Sequence, residues 1–286
     1  MSRTPHDALF KAVFGTPSYT AALFGTVLPD ELRRAIAWPT LAATTTSFVD
    51  ARLTQHHNDL LFSAQCSAIE GTVLVLLEHQ SSVEAGMSHR VLTYLTRIWS
   101  ACGGPPFPPI ITVVLSHQEG GWTAPTDLRE LVVPGPELIP GLADFLPTFS
   151  VHVLDLFKLT DDYLMGAALP PFPKLALWLL RDARNSQRLS ASLPHWAPLF
   201  ASVLAAPDGS YALTQLFRYI TLVVSEDAFS DIRDEILSHL PETEDTLMTI
   251  AEALRLEGRQ EGRQEGRQAC RQEDFRQEDF HQEDCR

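Results

Sequence analysis

"GTVLVLLEHQSS", residues 71–82, begins as a strand and ends on chemistry. Val73 to Leu77 form an unbroken apolar run, the pattern of a strand covered on both faces. Glu78, His79 and Gln80 follow with no break. A carboxylate buried at the end of such a strand is costly unless something pairs with it, and that partner is often a metal. What else reaches this strand end therefore bears directly on what the protein does.

The preceding stretch, "NDLLFSAQCS" (58–67), reads as a second strand, joined to the first by a tight turn at Ile69, Glu70 and Gly71. With the turn centred between Ile69 and Glu70, Asp59 lies across from Gln80, and Glu78 across from Leu61. Directly opposed residues share a face and side chains alternate along a strand. Asp59, Glu78 and Gln80 then cluster on one face at one end of the hairpin. A register slipped by one would send Asp59 to the other face. Two carboxylates and an amide oxygen are hard donors suited to Mg²⁺ or Mn²⁺ rather than Zn²⁺. Such a cation polarises a phosphoryl group and activates water. The plainer alternative is that Asp59 is a turn residue and Glu78 meets solvent.

Around this hairpin, residues 6–25 read as two short helices interrupted by Gly15 and Pro17. "TTSFVDARL" (45–53) and "IITVVLSH" (110–117) read as strands, as does "VHVLDLF" (151–157). Residues 86–102 form a helix with Met87, Val91, Leu95 and Ile98 on one face. Residues 119–149, rich in Pro and Gly, form an irregular insert. From about residue 161 the periodicity turns helical, through "KLALWLLRDAR" to "TLMTIAEALRL". The reading is an α/β core over 1–160, a helical region over 161–256, and a repeat tail over 257–286 ("EGRQ", then "RQEDF"). That tail, with a helix-weakening glycine every four residues, is expected to be a frayed helix or disordered.

The chain has 286 residues and is 45% hydrophobic, enough for a sizeable core. No apolar run is long enough to span a bilayer, and "MSRTPHDALFKAVFG" does not read as a signal peptide, so a cytoplasmic location away from membranes is expected. The four cysteines, Cys66, Cys102, Cys270 and Cys285, show no zinc spacing and are expected as reduced thiols. The formal net charge is −14, and the tail, with nine acids and six bases, leaves −11 for the body. This argues against a general polyanion-binding surface, so any nucleic-acid contact needs a local basic strip.

"HDALFKAVF", "DLLF" and "LLEHQSS…MSHRVLTYLTRIW" carry a resemblance. Over residues 5–160 the chain resembles the YhgA-like putative transposases, the recombination-promoting nuclease family, within the PD-(D/E)XK nuclease superfamily. The resemblance implies a restriction-endonuclease-like core, a mixed central sheet flanked by helices, and Mg²⁺-dependent cleavage of DNA phosphodiesters. Asp59 matches the metal-binding Asp and Glu78 the second acid. Gln80 falls where the superfamily usually has Lys, and Asn58 where it has Pro. Gln has no charge with which to stabilise an oxyanion. No third carboxylate is spaced for strand transfer, so simple hydrolysis is the expected reaction. The alternative is a degenerate member that acts as a binding or oligomerisation module.

Related nucleases often carry an extra acidic ligand in the first helix, where this chain has Asp7. Lys11, at i+4, faces the same way and is the candidate for the missing cation. The plainer reading pairs these two at a helix start. His6 reads as a neighbour of the helix cap, His79 as a packed or surface histidine on the face opposite Glu78, and His56–His57 as a polar turn. On the 86–102 helix, Arg90, Tyr94 and Arg97 form a stripe at i, i+4 and i+7 that either meets DNA phosphate or is a solvated face.

Overall fold

Among the described residues, five strands form one mixed sheet in the order β1 (Ile36–Ala43), β2 (Leu60–Cys66), β3 (Thr72–Gln80), β4 (Ile110–Ser116) and β5 (His152–Asp155). The computed structural model describes residues 4–44 and 59–239. β2 pairs antiparallel with both β1 and β3, whereas β4 runs parallel to β3 and β5 parallel to β4. The change of direction follows from the connections. A short loop closes the β2–β3 hairpin, while α4 (Met87–Ala101) carries the chain back to the start of β4.

β3 sits between two strands and two layers of helix, and every residue from Val73 to Gln80 is buried. Its alternation sorts the two faces. Val75 and Leu77 enter the larger core with α1 (Pro5–Phe14) and the C-terminal helices. Leu76 enters a smaller core with Met87, Val91, Tyr94 and Leu95 of α4 and with Val114, Trp122 and Val151. Leu77 is fully buried, so truncating it to Ala costs about 2–5 kcal/mol. α1 starts cleanly because Thr4 Oγ1 accepts the Asp7 N–H at 3.2 Å and Pro5 opens the first turn.

The structure corrects three sequence expectations. The expected strand at 45–53 lies outside the described residues, and the strand that pairs with β2 is β1, which sequence reading passed over. Pro39 interrupts its apolar pattern and is tolerated because β1 lies at the sheet edge, where the pairing register shifts between Ala37 and Ala42. The hairpin pairs Leu60 with Leu77, Leu61 with Leu76 and Gln65 with Thr72, two residues away from the expected register. The turn is the four-residue segment 67–70, closed by Cys66 N–H donating to Gly71 O at 3.0 Å. A two-residue slip preserves faces, so the expected clustering survives with different partners. Thirdly, Tyr94 belongs to the buried side of α4 rather than to an exposed stripe.

Short α2 (Pro17–Val27) and α3 (Asp30–Arg34) lead into β1. Residues 119–149 form the irregular insert, with 3₁₀ turns at Leu128–Leu131, Pro136–Leu138 and Leu142–Phe145. Beyond β5 come α5 (Asp161–Gly166), α6 (Pro171–Asp182), α7 (Ser186–Trp196), α8 (Pro198–Leu204), α9 (Gly209–Val223) and α10 (Glu226–His239). Their apolar faces share one core with α1 and the sheet, running from Leu9 and Phe10 through Trp178, stacked on Trp196 at 5.4 Å, to Ile236. The expected helix at 246–256 and the repeat tail lie outside the described residues. Cys66 and Cys102 are free thiols. Among the described residues no helix is long and apolar enough to cross a membrane. The α/β core with a helical C-terminal region is the architecture the sequence led us to expect.

Candidate functional site

Asp59 is the last residue before β2, and continuing the ladder one step past the Leu60–Leu77 pair sets it opposite Glu78 rather than Gln80. Glu78 and Gln80 occupy alternate positions of β3, so all three face α4. Glu78 and Gln80 are both buried, and Gln80 Nε2 donates to Glu78 Oε1 at 2.7 Å. Burial pushes the Asp59 pKa up to about 10, and a hydrogen bond and charge repulsion from Glu78 add to the rise, against the positive charges of Arg90 and Lys11. Two carboxyls bond to each other only when one is protonated. Both Asp59 oxygens and Glu78 Oε2 are otherwise buried with no donor among the other described residues.

Arg90 closes the cluster from α4. Its guanidinium donates to Glu78 Oε1 and to Glu84 Oε2, and lies over the Tyr94 ring at 5.8 Å from the centroid. Burial works against its charge, but Glu78, Tyr94, Glu84 and Asp59 outweigh that and raise its pKa. Tyr94 is packed beside the carboxyls, and burial, then Asp59 and Glu78, raise the pKa of its hydroxyl. Of the expected stripe, only Arg97 is exposed; Arg90 is held by carboxylates and Tyr94 is in the core.

Asp7 is placed differently from its expected role. Its Oδ1 bonds His79 Nδ1 at 3.0 Å, and His79 projects from the face of β3 opposite Glu78. Burial would raise the Asp7 pKa, but bonds from His79 and Thr4 lower it on balance. Lys11, one turn further along α1, lies close enough to Asp59 for its charge to act on that carboxyl.

Behind the strand end sits a histidine cluster that sequence reading missed. His79 stacks between Phe10 at 4.6 Å and His117 at 4.9 Å, and His6 packs on His117 at 4.8 Å. His6 Nδ1 is 2.8 Å from Tyr219 Oη, and Arg184 Nε donates to His6 Nε2 at 3.2 Å. His117 Nδ1 bonds Leu180 O at 3.1 Å. Burial, then the charges of Arg184 and His79, lower the His6 pKa to about 4; burial lowers that of His117 further. The His79 and His117 rings are 5° from parallel. An ion on an imidazole lone pair lies in the ring plane, so stacked parallel rings share no ion position. The one available signal was alternation: His117 continues the β4 positions that face α6.

The Asp59–Glu78 pair therefore offers two carboxylates and the Gln80 amide, and among the described residues no group of three or more His, Cys, Asp or Glu is arranged to hold a metal. Two carboxylates are the usual protein contribution to a Mg²⁺ site, with water and phosphate oxygens filling the rest. The hard oxygen donors and the three undonated carboxylate oxygens fit such an ion.

Three curated relatives align along most of the chain. The inactive recombination-promoting nuclease-like protein RpnE of Escherichia coli K12 is 29% identical over 260 residues, 90% of this chain and 83% of its own length. The recombination-promoting nuclease RpnD of Escherichia coli O157:H7 is 27% identical, covering 88% of this chain and 94% of its own. RpnA of strain K12, also a recombination-promoting nuclease by name, is 27% identical over 91% of this chain and 86% of its own. No solved structure gives a comparable match. The family model for putative transposases of the YhgA-like type matches residues 4–210, from the cap of α1 into α9, and the chain belongs to that family.

Proposed function

We propose that this protein is a Mg²⁺- or Mn²⁺-dependent DNA endonuclease that hydrolyses phosphodiesters, built on the PD-(D/E)XK plan. The observation that carries the reading is the Asp59–Glu78 pair: two carboxyls face to face at the end of a buried hairpin, with three oxygens lacking an outside donor among the described residues. The names of the relatives RpnD and RpnA support a nuclease. Asp59 and Glu78 would hold the cation, and the Gln80 amide fixes the Glu78 carboxylate through its 2.7 Å bond. When bound, the ion supplies Lewis-acid polarisation of the phosphoryl group and a water of lowered pKa. Lys11, whose charge acts on Asp59, takes the part of the cation that Gln80 lacks. Arg97, exposed two turns beyond Arg90, offers a phosphate contact on a chain of net charge −14.

A second reading, a protein that binds partners without cutting, is favoured by two observations. The Arg90 guanidinium already occupies Glu78, and the relative RpnE is named inactive. A plasmid-nicking assay with Mg²⁺, Mn²⁺ or EDTA, on wild type and Asp59→Ala, separates the two. Cation-dependent nicking lost in the variant supports the nuclease. No nicking by the wild type with either cation favours the binding module.

A further inference from the structure

We infer that Arg90 is a built-in counter-ion that occupies the carboxylate site in the metal-free protein and must move onto Glu84 before a divalent cation can bind. This rests on the metal site proposed above and adds a gating residue to it. Glu78 is almost fully buried, its side chain only 2% exposed, so without a cation its charge needs a partner. Arg90 supplies one from α4, reaching in with a side chain that is still 24% exposed. The same guanidinium is fixed at its other edge by Glu84, which is 40% exposed on the segment leading into α4. The two contacts differ in kind. The inner one uses an oxygen of the carboxylate pair, and the outer one lies at the rim. Arg90 can therefore release Glu78 while keeping an anionic partner. The guanidinium carbon lies 5.8 Å from the centroid of the Tyr94 ring.

The arrangement explains how two acids stay together in the metal-free protein. It also imposes a competition: the cation meets a site in which the Glu78 carboxylate is already engaged. When the binding-competent state is only fractionally populated, apparent affinity falls by that fraction. Removing Arg90 removes the competitor.

The test is Mn²⁺ alone, titrated into the full-length metal-free protein at pH 8 and followed by the electron paramagnetic resonance of free Mn²⁺. Arg90→Gln is expected to bind Mn²⁺ at least ~10-fold more tightly than wild type. Arg90→Lys, which retains a competing charge, is expected to stay near wild type, and Asp59→Ala in the Arg90→Gln background to lose the gain. If Arg90→Gln does not fold, Arg90→Met, which is also uncharged, repeats the measurement. Wild type that binds Mn²⁺ with an Arg90→Gln protein no tighter, or weaker, overturns the role of Arg90 and leaves the metal site standing. If neither protein binds Mn²⁺, the metal site itself falls and this inference with it.

Discussion

Asp59 stands across the β2–β3 ladder from Glu78, and the two carboxyls share a buried space in which three of their four oxygens meet no outside donor among the described residues. Asp7, the third acid expected there, is instead bonded to His79 behind the strand. The two placements give opposite expectations for alanine variants. Asp59→Ala and Glu78→Ala should each abolish Mn²⁺ binding and reduce DNA cleavage to background. Asp7→Ala should retain Mn²⁺ binding but leave the buried His79 Nδ1 without a partner, costing about 1–3 kcal/mol of stability. Calorimetric Mn²⁺ titration beside urea unfolding checks both halves. Loss of Mn²⁺ binding in a folded Asp7→Ala protein would return Asp7 to the ligand set.

The shared face of the candidate site was legible in the sequence because strand alternation is robust. The true turn at 67–70 displaced the expected pairing by two residues, and Asp59, Glu78 and Gln80 still shared a face. What sequence could not supply was anything set by tertiary distance. His6 and Tyr219 meet across 213 positions, and Arg184 reaches back to His6 across 178. Arg90 and Tyr94 read as an exposed stripe because helical periodicity fixes relative directions, not which side a helix buries. β1 was hidden by Pro39, whose tolerance depends on being at the edge.

The shared core predicts the outcome of truncation. Leu9, Phe10, Val13 and Phe14 of α1 belong to one cluster with Leu175, Trp178, Leu216 and Ile220 of α6 and α9. A fragment ending at residue 160 would expose that face. Burying one such side chain contributes about 1.5–3 kcal/mol, so losing a whole layer exceeds the 5–15 kcal/mol stability of a typical domain. The 1–160 fragment should show no cooperative thermal transition by circular dichroism. A sharp transition would make the helical region a separate domain.

Lys11 is the next residue to test. Its charge opposes the raised pKa of Asp59, which is the action expected of a cation beside the proposed metal ligands. An electrostatic group acting on the transition state contributes about 10²–10³ in rate. Lys11→Ala should slow DNA cleavage by that factor with DNA affinity nearly unchanged, while an exposed Lys–acid pair would contribute under about 1 kcal/mol of stability and nothing to rate. Cleavage at the wild-type rate would leave Lys11 with a structural role alone. Gln80→Lys, which places a cation on β3 itself, should recover part of the loss in the Lys11→Ala background.

The raised pKa of Asp59 turns the same site into a pH-dependent element of stability. The group titrates near 3.8 when unfolded and at about 10 in the metal-free fold. Its contribution is therefore fully present below about pH 4 and is lost as pH rises through about 10. Between those limits the folded protein holds a proton that the unfolded chain has released. Stability should then fall with pH, approaching about 1.4 kcal/mol per pH unit for one such proton. Asp59→Asn removes the ionising group and should flatten this decline, leaving the variant more stable than wild type at pH 8–9 in EDTA. Mg²⁺ should reverse the ranking, because it stabilises the ionised pair in the wild type by mass action and has one carboxylate fewer in the variant. Urea unfolding of both proteins from pH 5 to 9, with EDTA or Mg²⁺, measures these slopes. Parallel curves for the two proteins in EDTA would mean that Asp59 carries no shared proton.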